Sequence, residues 1–276
     1  MNATLNSTSS ARSSIAFSAR AVAVGAALWL ITVSAQAGRS CEAAAPTVDT
    51  VQQAMQLAEH ALQKLDQSGA QVVLLARIGQ DLSGYGLRYS HFGFAYKQAN
   101  DAAWRVVHKL NQCGTATSDI YRQGLAEFFL DDMFEYEAAM VVPSPDVQAK
   151  LWVALQDDVR LAQLHTPAYN MVAYPWALKY QQSNQWATET LAMTQDPAAS
   201  SRDQAQSWLK LHDYQPTTLK INALKRLGGR ITAANIAFDD HPNEKRFSDR
   251  IETVTVDSVF AWLNRSRLGS PIQTFR

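Results

Sequence analysis

The chain has no net formal charge: 25 Lys and Arg are matched by 25 Asp and Glu across 276 residues. That balance removes any whole-chain electrostatic reason to expect nucleic acid or an anionic membrane as partner. Internal repeats and low-complexity linkers are missing too, and beyond the N-terminal region no apolar run is long enough to span a bilayer. Cysteine is scarce, with two in all. What is present is the composition of a water-soluble globule, with 47% apolar residues and a mean hydropathy of −0.21. Seven Trp and nine Tyr point first to a large core and second to an aromatic-lined cleft.

The N-terminal region has the order of a secretory signal. Met1 to Arg20 contains Arg12 and Arg20 and no acid, and Ala21 to Ser34 is uncharged and mostly apolar around Leu28, Trp29, Leu30 and Ile31. It ends in Ala35-Gln36-Ala37, the small-x-small pattern of a cleavage site, which predicts a cut after Ala37 and a mature start at Gly38 in the periplasm or outside the cell. An uncleaved anchor is the alternative, but the apolar run falls short of the roughly 20 residues a spanning helix needs. Gly38, Arg39 and Ser40 before Cys41 do not form an aliphatic-small-small run, so no lipid attachment is expected there. In an oxidising compartment the two cysteines are expected to pair as Cys41–Cys113. Closing that loop stabilises by about 4 kcal/mol in the chain-entropy model. The rival readings are a metal site, which lacks nearby ligands, and a catalytic Cys113, which needs a free thiol.

Periodicity predicts a helix over Thr47 to Asp66, capped at Thr47 or Asp49, then a buried strand over Val72 to Ala76. Ser90 to Tyr96 and Trp104 to Leu110, either side of an Asn100-Asp101 turn region, form a candidate antiparallel hairpin. Another strand is expected over Phe134 to Val142. Helical spacing takes over from Pro145, with helices over Ser183 to Met193 (Trp186, Ala187, Thr190 and Leu191 inward) and Arg202 to Leu211. Ile231 to Phe238 and Ile251 to Val256 read as strands around a polar turn, and Ser258 to Arg265 as a final helix. The simplest architecture is one α+β domain from residue 38 to 276, an antiparallel sheet with a helical half.

Histidines are the candidate chemical groups, because nothing else titrates near neutral pH. His91 and His108 lie on the two arms of the hairpin, where one imidazole can orient the other as a base and its support. Asp239-Asp240-His241 reads as a solvated turn rather than a metal site. Asp131-Asp132 with Glu135 and Glu137 offers the carboxylates of a paired acid and base, but the alternation of Phe134, Tyr136 and Ala138 places the glutamates on one strand face, most simply exposed.

Tyr89-Ser90-His91-Phe92-Gly93-Phe94 resembles the Ser-His-Val-Gly-Ile strand motif of circularly permuted papain-like proteins of the NlpC type. In that group the catalytic His precedes the nucleophile, a polar residue follows on the next strand, and a Cys opens a later helix. The resemblance makes His91 the base and His108 its support. It puts Ser183 of Tyr180-Gln181-Gln182-Ser183-Asn184-Gln185-Trp186 at the Cys position, with Tyr89, Tyr180, Gln182 and Trp186 shaping the pocket. A hydroxyl is a poorer nucleophile than a thiolate, so the replacement implies either a serine variant with strong general-base help or a binding protein that kept its cleft. No metal or other cofactor is required; peptide or lipid ester substrates of the cell envelope are what the resemblance and the compartment imply. The stretches Arg77-x-Gly-x-Asp81-Leu82-Ser83, Arg88-Tyr89-Ser90-His91, Tyr180-Gln181, Asn184-Gln185-Trp186 and Ala237-Phe238-Asp239-Asp240-His241-Pro242 resemble the bacterial domain-of-unknown-function family 2145, from about Cys41 to the C-terminus.

Overall fold

The computed structural model describes residues 46–98, 103–131 and 133–276. The leader, Cys41, Asn100, Asp101 and Asp132 lie outside the described residues.

The chain runs α1 (Val48–Gln67), β1 (Val72–Ile78), β2 (His91–Lys97), β3 (Trp104–Asn111), β4 (Ser118–Gly124), α2 (Leu125–Leu130), β5 (Glu135–Val141), α3 (Pro145–Leu155) and α4 (Asp158–Ala162). It continues through α5 (Ser183–Gln195), α6 (Arg202–Leu211), β6 (Thr217–Lys220), α7 (Ala223–Thr232), α8 (Asn243–Phe247), β7 (Arg250–Thr253), α9 (Val256–Arg265) and β8 (Gln273–Phe275). The fold is α+β. Six strands form one antiparallel sheet in the order β4-β3-β2-β1-β5-β8, and β6 and β7 pair separately.

Every residue of β1 is buried, because the sheet is covered on both faces and its side chains alternate between two cores. Val72, Leu74 and Ala76 join Phe92, Phe94, Trp186, Leu191 and Phe260 under α3, α5, α6 and α9. Val73 and Leu75 join Leu57, Ala61, Phe128 and Phe129 under α1 and α2. Local signals set the helix starts. Thr47 Oγ1 accepts from Thr50 N at 3.1 Å, Pro145 opens α3 at its first turn, and Thr255 and Ser258 form a reciprocal capping box on α9.

The sequence reading needs three corrections. Ile231 to Phe238 is not a strand: Asn222 caps a helix by accepting from Lys225 N at 2.9 Å, and α7 runs to Thr232 before the chain turns. Glu137 is not exposed. Arg88, Tyr89 and Arg276 all donate to it, each from a segment far away in sequence. Asp240 and His241 are not solvated either; His241 Nδ1 meets Asp240 Oδ1 at 3.0 Å and Nε2 meets the Glu252 carbonyl at 2.9 Å, clipping this loop to β7.

Candidate functional site

His91 opens β2 and His108 lies on β3. The register pairing Phe94 with Val107 puts His108 across from Gly93, one step along the same face from His91. A Cβ at Gly93 would lie 2.8 Å from the Val107 carbonyl and 2.9 Å from His108 Cβ, so only glycine allows this approach. The imidazoles meet across it, His91 Nε2 to His108 Nδ1 at 2.8 Å.

The rest of the network fixes the protons. Gln123 on β4 donates its Nε2 to Glu127 at 3.3 Å and turns its Oε1 to His108 Nε2 at 2.7 Å. A carbonyl oxygen can only accept, so neutral His108 carries its proton on Nε2 and offers Nδ1 as acceptor. His91 then donates from Nε2, which leaves its Nδ1 as a bare lone pair without a hydrogen-bond partner among the described residues. Burial holds the His91 pKa well below its ordinary value, with His108 and the Arg77 guanidinium adding to the effect. Burial and Arg77 likewise push His108 down to about 3. Arg77 is itself held by the Phe128 carbonyl and by Asp131, the latter at 2.5 Å. Both imidazoles are therefore neutral at physiological pH.

The start of α5 is fastened to the strand at His91. The Asn184 carboxamide accepts from Phe92 N at 3.2 Å and donates to the Ser90 carbonyl at 3.1 Å, one bond on each side of the histidine. These backbone groups point toward β3, but β2 and β3 pair only from Phe94 to Lys97, so the amide stands where strand pairing has stopped. Ser183 is the first residue of α5 and is buried. Its hydroxyl lies near enough to the Tyr169 phenol to lower that group's otherwise raised pKa, and no hydrogen bond joins it to His91 among the described residues.

The four residues expected to shape a pocket have internal partners. Tyr89 donates to Glu137 at 2.9 Å, and Gln182 donates to Thr253 Oγ1 at 2.6 Å and the Val254 carbonyl at 2.8 Å. Trp186 is fully buried, edge-on to Phe94, and donates to the Leu161 carbonyl at 3.3 Å. Tyr180 is half-buried, with the Lys179 ammonium 5.1 Å from its ring. Neither of two surface cavities, of about 370 and 480 Å³, is lined by any of these residues or by His91, His108 or Ser183. The smaller lies between β4 and α4 and the larger between α1 and α2.

Sequence reasoning missed a buried polar cluster behind the site. Glu189 accepts from Gln181 (2.6 Å), Arg202 (2.8 Å), Gln206 (2.7 Å) and Gln185 (3.2 Å). Arg202 also donates to the carbonyls of Ala177, Leu178 and Tyr180, tying down the loop that leads into α5. Lys109, fully buried on β3, donates to the Thr166 carbonyl at 2.8 Å and Gln181 Oε1 at 2.7 Å. Burial, with Arg202 adding, pushes its pKa down to about 7. The available signal was the spacing of Gln181, Gln185 and Glu189, a polar stripe at helical period between apolar residues.

Comparison with curated proteins finds no match, and comparison with solved structures finds none. One family model, described as "Uncharacterized protein conserved in bacteria (DUF2145)", matches residues 64–263, which takes in the histidine pair, α5 and the Glu189 cluster. The chain belongs to that bacterial family.

Proposed function

We propose that this is an exported cell-envelope protein with a permuted papain-like site, which transfers or hydrolyses an acyl group held as an amide or ester. The observation that carries this reading is the histidine pair: Nε2 of His91 is committed to His108, and α5, which opens with Ser183, clasps the backbone on either side of His91, while the His91 ring itself packs toward Phe128 on the face of the sheet away from α5. In this reading Ser183 Oγ attacks the carbonyl carbon and its proton passes to His91 Nδ1, which requires the His91 ring to leave Phe128 and turn to the α5 face of the sheet. The amides at the start of α5 stabilise the oxyanion. The proton then goes to the departing amine or alcohol, and water releases the acyl group from Ser183.

Replacing the hydroxyl by a thiol tests the site without knowing the substrate. In Ser183→Cys, the new cysteine should react with iodoacetamide with a half-maximal pH near 7 or below, against the ~8.5 of an ordinary thiol. Adding His91→Ala should move the profile back up. A profile like that of a free cysteine, indifferent to His91, sinks the catalytic reading.

The second reading is a non-catalytic envelope binding or assembly protein with a degenerate cleft. It is favoured by the burial of Ser183 and by the packing of the His91 ring toward Phe128, away from α5. It predicts that Ser183→Ala leaves function in the producing cell intact.

A further inference from the structure

The neutral charge of the whole chain conceals a local excess around α7. This helix has the sequence Ala-Leu-Lys-Arg-Leu-Gly-Gly-Arg-Ile-Thr, with three basic residues and no acid. Leu224, Leu227 and Ile231 recur at spacings of three and four, so they share one face, and that face is uncovered: the side chains are 78%, 56% and 55% exposed. The opposite side is where the helix is anchored. Gly229 lies against Ile236, and Arg226 is bound to Asp249 at 2.6 Å and to the Ile221 carbonyl.

Two further features surround this stripe. Lys225 and Arg230, both exposed, leave the helix on its two flanks, between the apolar stripe and the anchored side. Lys220 and Arg250, at the adjoining end of the small sheet, are directly paired across β6 and β7. Like charges facing each other on neighbouring strands destabilise a sheet. The Asp249 that joins this end to α7 is already bound to Arg226. Phe247, two residues before it, is 71% exposed.

From these we infer that α7, with the β6–β7 end beside it, is a docking surface for the face of an anionic phospholipid bilayer. The leucine and isoleucine side chains enter the boundary between headgroups and acyl chains, and Lys225, Arg230, Lys220 and Arg250 meet lipid phosphates. Charge complementarity selects this occupant, since the cations flanking the apolar stripe meet opposite charge on an anionic bilayer but like charge on a second copy of the same basic face. The inference stands independently of the chemistry at Ser183.

Vesicle co-sedimentation of the purified protein tests it. Vesicles with roughly 30% phosphatidylglycerol should bind at least about tenfold more tightly than pure phosphatidylcholine, with the difference shrinking as salt rises from about 0.1 to 0.5 M. Leu224→Glu with Leu227→Glu should weaken binding about tenfold, and Lys225→Glu with Arg230→Glu should remove most of the anionic preference. A polarity-sensitive dye on Leu227→Cys reports entry into the bilayer without changing charge, and its emission should shift to the blue on the anionic vesicles. Equal binding to both vesicles, an unshifted dye or unchanged binding by the charge variant overturns the inference. So does lipid-free self-association that the leucine variant abolishes, which would give the face to a second copy.

Discussion

At residue scale, the arrangement of His91 and His108 makes the protein sensitive to acid. Both imidazoles are neutral in the fold, with pKa values held below the ordinary value near 6.5. The unfolded chain binds their protons first as pH falls, so stability is full above about 7 and is lost progressively from about 6.5 toward 3. Each imidazole contributes a slope of at most roughly 1.4 kcal/mol per pH unit in that window. Urea unfolding at pH 7, 6 and 5 should therefore show falling stability, and His91→Phe with His108→Phe should flatten the dependence if the pair is its source. Glu137 contributes lower down: its pKa is held at about 2, chiefly by Arg88. That stabilisation is present above about 4.5 and is lost only as pH falls toward 2. The meeting of the two histidines was legible because a hairpin brings near neighbours together. The burial of Glu137 was not, because its partner Arg276 lies at the far end of the sequence and alternation alone cannot reveal it.

At the scale of the element, α5 shows where pattern reading succeeds and fails. Its start at Ser183 and its end near Met193 follow from the sequence, and the structure extends it to Gln195. Trp186, Ala187, Thr190 and Leu191 are buried as the spacing predicts, but so is every other residue from Ser183 to Thr194, polar ones included. A helix with Gln185 and Glu189 inside is stable only if other segments supply partners, and Gln181, Arg202 and Gln206 do so. Glu189→Ala should accordingly cost about 3–5 kcal/mol in denaturant unfolding, because Arg202 is left as a buried charge without its counter-ion. Recovery of stability in Glu189→Ala with Arg202→Met would locate the loss in that charge; an unchanged midpoint in Glu189→Ala would mean the cluster does not hold α5. The missed strands β4, β6 and β8 are edge or short strands, where few alternations accumulate. The strand expected from Ile231 failed because Asn222 starts a helix whose apolar spacing runs through Ile231.

At the scale of the whole molecule, the antiparallel sheet and its helical half were legible from periodicity, whereas the two-sided covering of β1 and β2 appears only when the strands are ordered. No helix of the described residues is long and apolar enough to cross a membrane. Export makes a global prediction through the cysteines. Cys113 lies in the turn between β3 and β4, next to the strand that carries His108. If the chain matures through an oxidising compartment, the denatured protein should expose no reactive thiol until a reductant is added, and reduction should lower unfolding stability by about 4 kcal/mol. Two titratable thiols without reductant would argue against the bridge and for an uncoupled N-terminus.

The Asn184 clasp lets one side-chain amide do what a neighbouring strand does elsewhere in the sheet. Beyond Phe94 two backbone groups of the β2 segment are satisfied by a single carboxamide rather than by a ladder, and the His91–His108 hydrogen bond crosses to β3. A ladder yields cooperatively, whereas a clasp of this kind can release with one rotation of one side chain. The seam beside His91 therefore depends on one side chain, whose release leaves a buried N–H and a carbonyl unpaired at a cost of about 1–3 kcal/mol each while both cores stay packed. Access to a buried base would then be governed by how often a single asparagine lets go.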